Sequence, residues 1–330
     1  MNFELLDNKH LDGILALWNR ELADCFPVRP RLLRQNIMDD RLWLREGSWV
    51  ALEAGTDRVI GFVAAKISRE AAAQYGIPRD KGWIHALMVE SPHRRSGIGQ
   101  ALLDKAEAAL RDAGASHISL GNDLHGRLFP GIPDTLAETK QWFEKRGYAF
   151  RELAYDLLHD YDGQQEPAWP NVQNASLRIA VPADREALEA FMERCFPGAW
   201  SYQHRDYWER GGTGREYVLL EREGAIIGFC RINDPQSPLL AQNIYWSPLF
   251  EDALGGIGPL GIDGNYRGLQ YGISIVQAAV QYLLERGMRH IVIDTTPFVD
   301  FYGKLGYRSW KSYAKYEKSF NDMEILDYES

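Results

Sequence analysis

The chain has 330 residues, of which 45% are hydrophobic and 25% charged, with a formal net charge of -9. Such a length exceeds what one core usually serves, so two domains of about 160 residues are expected. The composition excludes a disordered chain, the acidic balance opposes nucleic-acid phosphates, and no apolar run has the length of a membrane span. The N-terminal stretch lacks the basic start and apolar run of a secretory signal, which points to the cytoplasm. Three cysteines, Cys25, Cys195 and Cys230, form no Cys-x-x-Cys pair, so neither a disulfide framework nor a metal site is expected.

In chain order, apolar periodicity predicts strands over 49–52, 59–65 and 84–89, a helix over 100–113 closed by Gly114, a strand over 117–120 and a helix over 135–146. A polar stretch over 161–175, rich in Gln, Asn, Pro, Gly and Asp, reads as a linker. Beyond it come a strand over 177–181, a helix start at Pro182, a helix over 185–195, and strands over 217–221 and 225–231.

The second half repeats the first. Cys25-Phe26-Pro27 returns as Cys195-Phe196-Pro197, and Ile60-Gly61-Phe62 returns as Ile227-Gly228-Phe229. Arg94, Gly114 and His117 match Arg267, Gly287 and His290 at one offset of 173, and Lys145 to Tyr148 matches Lys304 to Tyr307 at 159. An ordered series of this kind indicates a duplicated domain. The expected division is 1–160, a linker over 161–175, and 176–330. Short turns between early strands imply antiparallel hairpins, and the strand, turn, helix, strand series implies a parallel crossover. The expected fold is therefore α/β (α+β), with two tandem twisted mixed sheets flanked by helices.

After strand 84–89 stands Arg94-Arg95-Ser96-Gly97-Ile98-Gly99, then the helix that begins at Gln100. Glycines allow close backbone approach, successive amides point outward, and a helix N-terminus adds positive potential, a combination suited to a pyrophosphate. A dinucleotide fingerprint does not fit, because Leu102 stands where its third glycine belongs. The turn resembles the Arg/Gln-x-x-Gly-x-Gly/Ala signature of the general-control-nonderepressible-related N-acetyltransferase (GNAT) superfamily, and Phe143 to Tyr148 resembles its C-terminal signature. The tandem arrangement is similar to that of mycothiol synthase and other two-domain acyltransferases. The resemblance implies acetyl-CoA as co-substrate, held by the backbone of Leu87, Met88 and Val89 along its pantetheine arm. It further implies that the pyrophosphate sits on Arg94, Arg95, Ser96, Gly97, Ile98, Gly99 and Gln100, with Phe143 beside the thiol end. In the second repeat, Gln270 replaces the first glycine and Tyr271 adjoins it, so weak or absent coenzyme binding is expected there.

Acetyl transfer to an amine needs a proton acceptor. His85 is the candidate base: alternation places it on one face with Leu87 and Val89, and the run His85-x-Leu87-x-Val89-x-x-x-x-Arg94 resembles arylalkylamine N-acetyltransferases. A buried histidine bonded to a backbone carbonyl is the other reading. Glu90 is the second candidate, to orient the amine or relay a proton through water. The superfamily tyrosine that protonates the thiolate is replaced by Phe143, whereas the second repeat keeps Tyr302. The offsets show that the first repeat carries 14 additional residues within 121–134. This insertion reads either as a substrate wall, with Phe129 as an apolar contact and Asp123 or Asp134 attracting an ammonium, or as an ordinary surface loop. The function so read is acetyl transfer to a small-molecule amine; an acyl-CoA-binding sensor or interaction module without catalysis is the alternative. The acceptor's identity and the oligomeric state stay open.

Overall fold

The computed structural model describes residues 2–68, 73–161 and 167–320. Two compact units emerge, one of Met1–Ala154 with Lys311–Ser330, the other of Tyr155–Trp310. Part of the expected linker, residues 162–166, lies outside the described residues.

The first unit opens with β1 (Asn2–Leu5), α1 (Leu11–Leu22) and the short α2 (Pro30–Leu33), followed by β2 (Trp43–Leu52), β3 (Val59–Ile67) and β4 (Lys81–Val89). Then come α3 (Ile98–Asp112), β5 (His117–Leu120), β6 (Ile132–Pro133), α4 (Ala137–Glu144) and the first half of β7 (Ala149–Asp160), whose residues from Tyr155 onward belong to the second unit. Its sheet runs β1-β2-β3-β4-β5 and is completed by the last strand among the described residues, β13 (Arg308–Ser319), through pairs such as Glu317 with Ser119. Only β4 and β5 pair in parallel; the other neighbours are antiparallel.

In the second unit, β8 (Ser176–Ile179), α5 (Arg185–Cys195), α6 (Ala199–Glu209), β9 (Tyr217–Arg222) and β10 (Ala225–Asn233) precede β11 (Leu254–Ile262), α7 (Tyr271–Glu285), β12 (His290–Thr296) and α8 (Val299–Gly303). Here the sheet order is β8-β9-β10-β11-β12-β7, with β11 and β12 parallel. The closing strand is supplied by β7, whose Tyr155 pairs with Thr296 and whose Asp160 pairs with His290. The final strand of each repeat thus completes the sheet of the other unit, an exchange that a linear reading of the repeat does not contain.

The core of the first unit forms because α3 presents Leu102, Leu103, Ala106 and Leu110 at spacings of three and four to the sheet, where they are buried with Val63, Ala65, Ile84 and Val89. Each such leucine, isoleucine or valine side chain removed from water contributes about 1.5–3 kcal/mol. Glycines set how closely the helix can lie. A Cβ on Gly82 would stand 2.8 Å from Leu110 Cδ2, and one on Gly61 would stand 3.3 Å from Leu102 Cδ1. Among the described residues no helix is long and apolar enough to cross a membrane.

Candidate active site

Two features of β4 shape the site. The strand pairs with β5 only from Lys81 to Ile84, so 85–89 keep β3 alone as a neighbour. The register with β3 also slips between Ala64 and Ala65, which pair with Ala86 and Ile84, leaving His85 as the extra residue of a bulge. The slip breaks the alternation expected from sequence. Leu87 and Val89 pack on the α3 side of the sheet, whereas His85 turns to the opposite side, where Lys66 lies. Met88 directs its carbonyl toward Gly61 on β3, so the backbone groups of Leu87 and Val89 face the side without a strand. The Val89 carbonyl there accepts from Arg94 Nε at 3.0 Å.

His85 is buried, 2% exposed, and its Nδ1 lies 3.2 and 3.1 Å from Asp123 Oδ1 and Oδ2. Asp123 also accepts from Lys66 Nζ at 2.6 Å, and Lys66 donates to Asp40 at 2.8 Å. The carbonyls of His125 and Gly126 take further bonds from the same ammonium at 3.1 Å. Burial, with the Lys66 charge, holds His85 below the usual histidine range, while Lys66 and His85 hold the Asp123 carboxyl well below its own. The imidazole therefore rests neutral with its proton on Nδ1, donated to Asp123. Its Nε2 is buried without a hydrogen-bond partner, an acceptor with nothing to accept from. The bond to Asp123 replaces the backbone-carbonyl alternative.

The glycine turn has the geometry of an anion cradle. Gly97 caps α3 at φ 86°, and the first intrahelical bond runs from Ala101 N to Gly97 O at 3.0 Å, so the amides of Ile98, Gly99 and Gln100 precede the helical ladder. A Cβ on Gly97 would meet nothing within 4 Å, so this position faces open space. Arg95, also at positive φ, is exposed, and Ser96 Oγ donates to the His93 carbonyl at 2.5 Å. Arg94 donates to Glu21 on α1 at 2.5 Å, which ties the turn to the first helix. Gln100 receives Arg146 Nε at 2.6 Å.

Other expected site residues have different surroundings. Glu90 is 2% exposed and its Oε1 is held by both Arg20 and Arg58, so it serves as an ion-pair anchor for α1 and not as a free carboxylate near the amine. Phe143 is a core residue packed edge-on against Trp142 and Tyr148; Trp142 is the ring beside the cradle, 3.5 Å from a Cβ built on Gly99. Asp123 is committed to Lys66 and His85 and cannot attract an ammonium from solvent. Asp134 is bonded by Lys140 at 2.6 Å. Phe129 stacks on Trp18 with ring centroids 5.5 Å apart and meets Phe26 edge-on at 5.1 Å, which fastens the inserted segment over α1. Sequence reasoning missed Lys66 and Asp40. A signal was present: Lys66 is the only charged residue in the run from Val59 to Ile67, a strand buried at every position.

The second repeat keeps the positive-φ turn and the register slip of this site and carries different residues in them. Gly268 and Gln270 adopt the positive φ of Arg95 and Gly97, and β10 slips against β11 around Gly258 and Pro259, the counterparts of His85 and Ala86. Gln270 thus puts a side chain where Gly97 has none, and glycine stands in place of the histidine.

A family model described as the acetyltransferase (GNAT) family matches residues 14–127 and 185–307. Among curated relatives, a mycothiol acetyltransferase of Acidothermus cellulolyticus is 25% identical over 245 residues, covering 70% of this chain and 70% of its own. Among solved structures, a GCN5-related glucosamine N-acetyltransferase region in a fungal multi-domain GH3 β-N-acetylglucosaminidase aligns with a TM-score of 0.84 at 25% identity. That alignment covers 96% of this chain, which spans 38% of the fungal protein. A tandem GNAT protein from the clavulanic acid biosynthesis pathway has the same fold, with a TM-score of 0.67, 15% identity, and coverage of 96% and 98%.

Proposed function

Because the chain belongs to the acetyltransferase (GNAT) family, we propose that its first repeat transfers the acetyl group of acetyl-CoA to the amine of a small amino sugar, with His85 as general base. Acetyltransferase activity and acetyl-CoA are common to the family; the acceptor and the residue roles are the proposed part. The glucosamine N-acetyltransferase name of the fungal relative supports an amino sugar, and the mycothiol acetyltransferase names of the curated relatives support a small-molecule acceptor. The proposed working repeat is 1–160, with 176–330 as its non-catalytic copy and 161–175 as the join, in a protein of the cytoplasm.

The residues present fit this co-substrate. The loop of 95–100 offers free amides and an open position at Gly97, and β4 leaves its backbone edge at Leu87 and Val89 without a strand. Acetyl-CoA supplies an acyl carbon already activated as a thioester. His85 Nε2 takes the proton of the attacking amine, and the Nδ1–H bond to Asp123 fixes the tautomer and favours the imidazolium that results. Phe143 brings no hydroxyl, so the thiolate leaves without a side-chain acid, which a thiol of pKa about 8.5 permits. The observation that carries this reading is the unpartnered, buried Nε2 on the bulge of β4.

Thiol release from acetyl-CoA in the presence of glucosamine is the direct test. His85→Ala is expected to lower kcat/KM by roughly 10²–10⁴-fold while leaving acetyl-CoA affinity within about twofold. Undiminished turnover in that variant would remove His85 from the chemistry. No release with any amino sugar, alongside normal coenzyme binding, would favour a sensor that binds acyl-CoA without turning it over.

A further inference from the structure

The hydrogen-bonded chain that begins at His85 does not stop at its carboxylate partner. Lys66 is wholly enclosed and joins Asp123 to Asp40, so an imidazole, an ammonium and two carboxylates share one buried cluster. The members come from separate elements: His85 from β4, Lys66 from β3, Asp40 from the turn before β2, and Asp123 from the inserted segment after β5. These three are also the charged groups that act on His85. Formal charges sum to -1 with His85 neutral and to 0 with His85 protonated. In a medium of low effective dielectric, one unit of charge at these separations governs which state is stable.

The geometry points to Lys66 and Asp40 as positioning residues that set the proton load of His85: Lys66 cancels one carboxylate so that the base rests empty, and Asp40 leaves one uncancelled to receive the imidazolium. This inference rests on His85 being the base. The proton leaves the amine nitrogen, bonds to Nε2 and is later released to solvent or to the departing thiolate; Lys66 stays an ammonium and Asp40 a carboxylate throughout. Packing alone would make the two residues interchangeable supports, whereas charge setting makes their removal act in opposite directions. Losing Lys66 leaves two carboxylates facing the ring and raises its proton affinity. Loss of the Asp40 charge leaves Lys66 against Asp123 alone and lowers it.

The test follows the His85 ring by NMR of the full-length chain labelled at histidine, assigned by difference from His85→Gln, together with the pH profile of kcat/KM. Lys66→Met is expected to move the His85 titration and the acid limb of the profile up by about one to two pH units, and Asp40→Asn to move both down by a similar amount. Lys66→Arg, which keeps the charge, is expected to stay within about 0.5 unit of the parent. Should Lys66→Met fail to fold, Asp40→Asn carries the test, since its amide oxygen still accepts from Lys66. Shifts in the same direction, or no shift in a folded Asp40→Asn chain, overturn the inference. Full activity in His85→Ala overturns the base itself and leaves the titration results standing, so the two failures are distinguishable.

Discussion

Gly97 is the position where the two repeats differ by a whole side chain, glycine in the first and Gln270 in the second. The backbone there is left-handed at φ 86°, and Gln270 holds nearly the same conformation at φ 61° in the second repeat. The fold therefore tolerates a side chain at this point, at a cost of about 1–2 kcal/mol for left-handed backbone. Gly97→Gln is accordingly expected to fold, to lose at most a few degrees of Tm, and to raise the KM for acetyl-CoA at least tenfold with little change in acceptor KM. A normal KM for acetyl-CoA would mean that the phosphates lie elsewhere. This residue was legible in the sequence because a glycine turn needs no distant partner to be recognised. Lys66, Asp40 and Asp123 were not: their contacts join positions 26 and 57 residues apart, and the charge at Lys66 acquires meaning only once β3 is seen to be buried.

At the scale of elements, periodicity located β3, β4, β5 and α3 with boundaries shifted by a few residues, as for α3, which begins at Ile98 instead of Gln100, but it gave no strand over β1, β7 or β13 and no helix over α6. The bulge in β4 was invisible to periodicity, because an inserted residue changes only which face a side chain takes, and the pattern around His85 reads equally well without it. The glycine beneath α3 was an overlooked signal: Gly82 recurs as Gly255, where a Cβ would stand 3.0 Å from Met288. Both repeats thus keep a helix close against the parallel strand pair. Gly82→Val would push its Cβ to 2.8 Å from Leu110 Cδ2 and 3.2 Å from Ala115 Cβ, so it is expected to destabilise the first unit by about 1–3 kcal/mol in urea unfolding. Unchanged stability would show that α3 moves aside freely.

For the whole molecule, acid is expected to weaken the second unit through His204. Burial, with the neighbouring Arg231 charge, brings this histidine down to about 3, and its Nε2 accepts from Trp208 Nε1 at 3.1 Å. An unfolded chain titrates the same group near ~6.5, so between those values it binds the proton that the folded unit refuses. Stability contributed by neutral His204 is complete above about 6.5 and is lost as pH falls toward 3, a change of roughly 3–6 kcal/mol. Urea midpoints measured across that range should flatten in His204→Asn; an equal slope in both chains would assign the acid sensitivity to other groups. Duplication itself was legible from ordered landmarks, but not the pairing of final strands. A repeat seen in sequence states which segments are alike and is silent on which sheet each one joins.

The strand exchange carries a consequence for biosynthesis. Since β13 supplies the closing strand of the first unit, the N-terminal sheet waits for residues near 317 to leave the ribosome although its other strands emerge long before. At about 5–20 residues per second, the interval after β5 is roughly 10–40 s. Throughout it, the backbone edge of β5 at Ser119 is uncovered, making the half-made chain a natural client for chaperones.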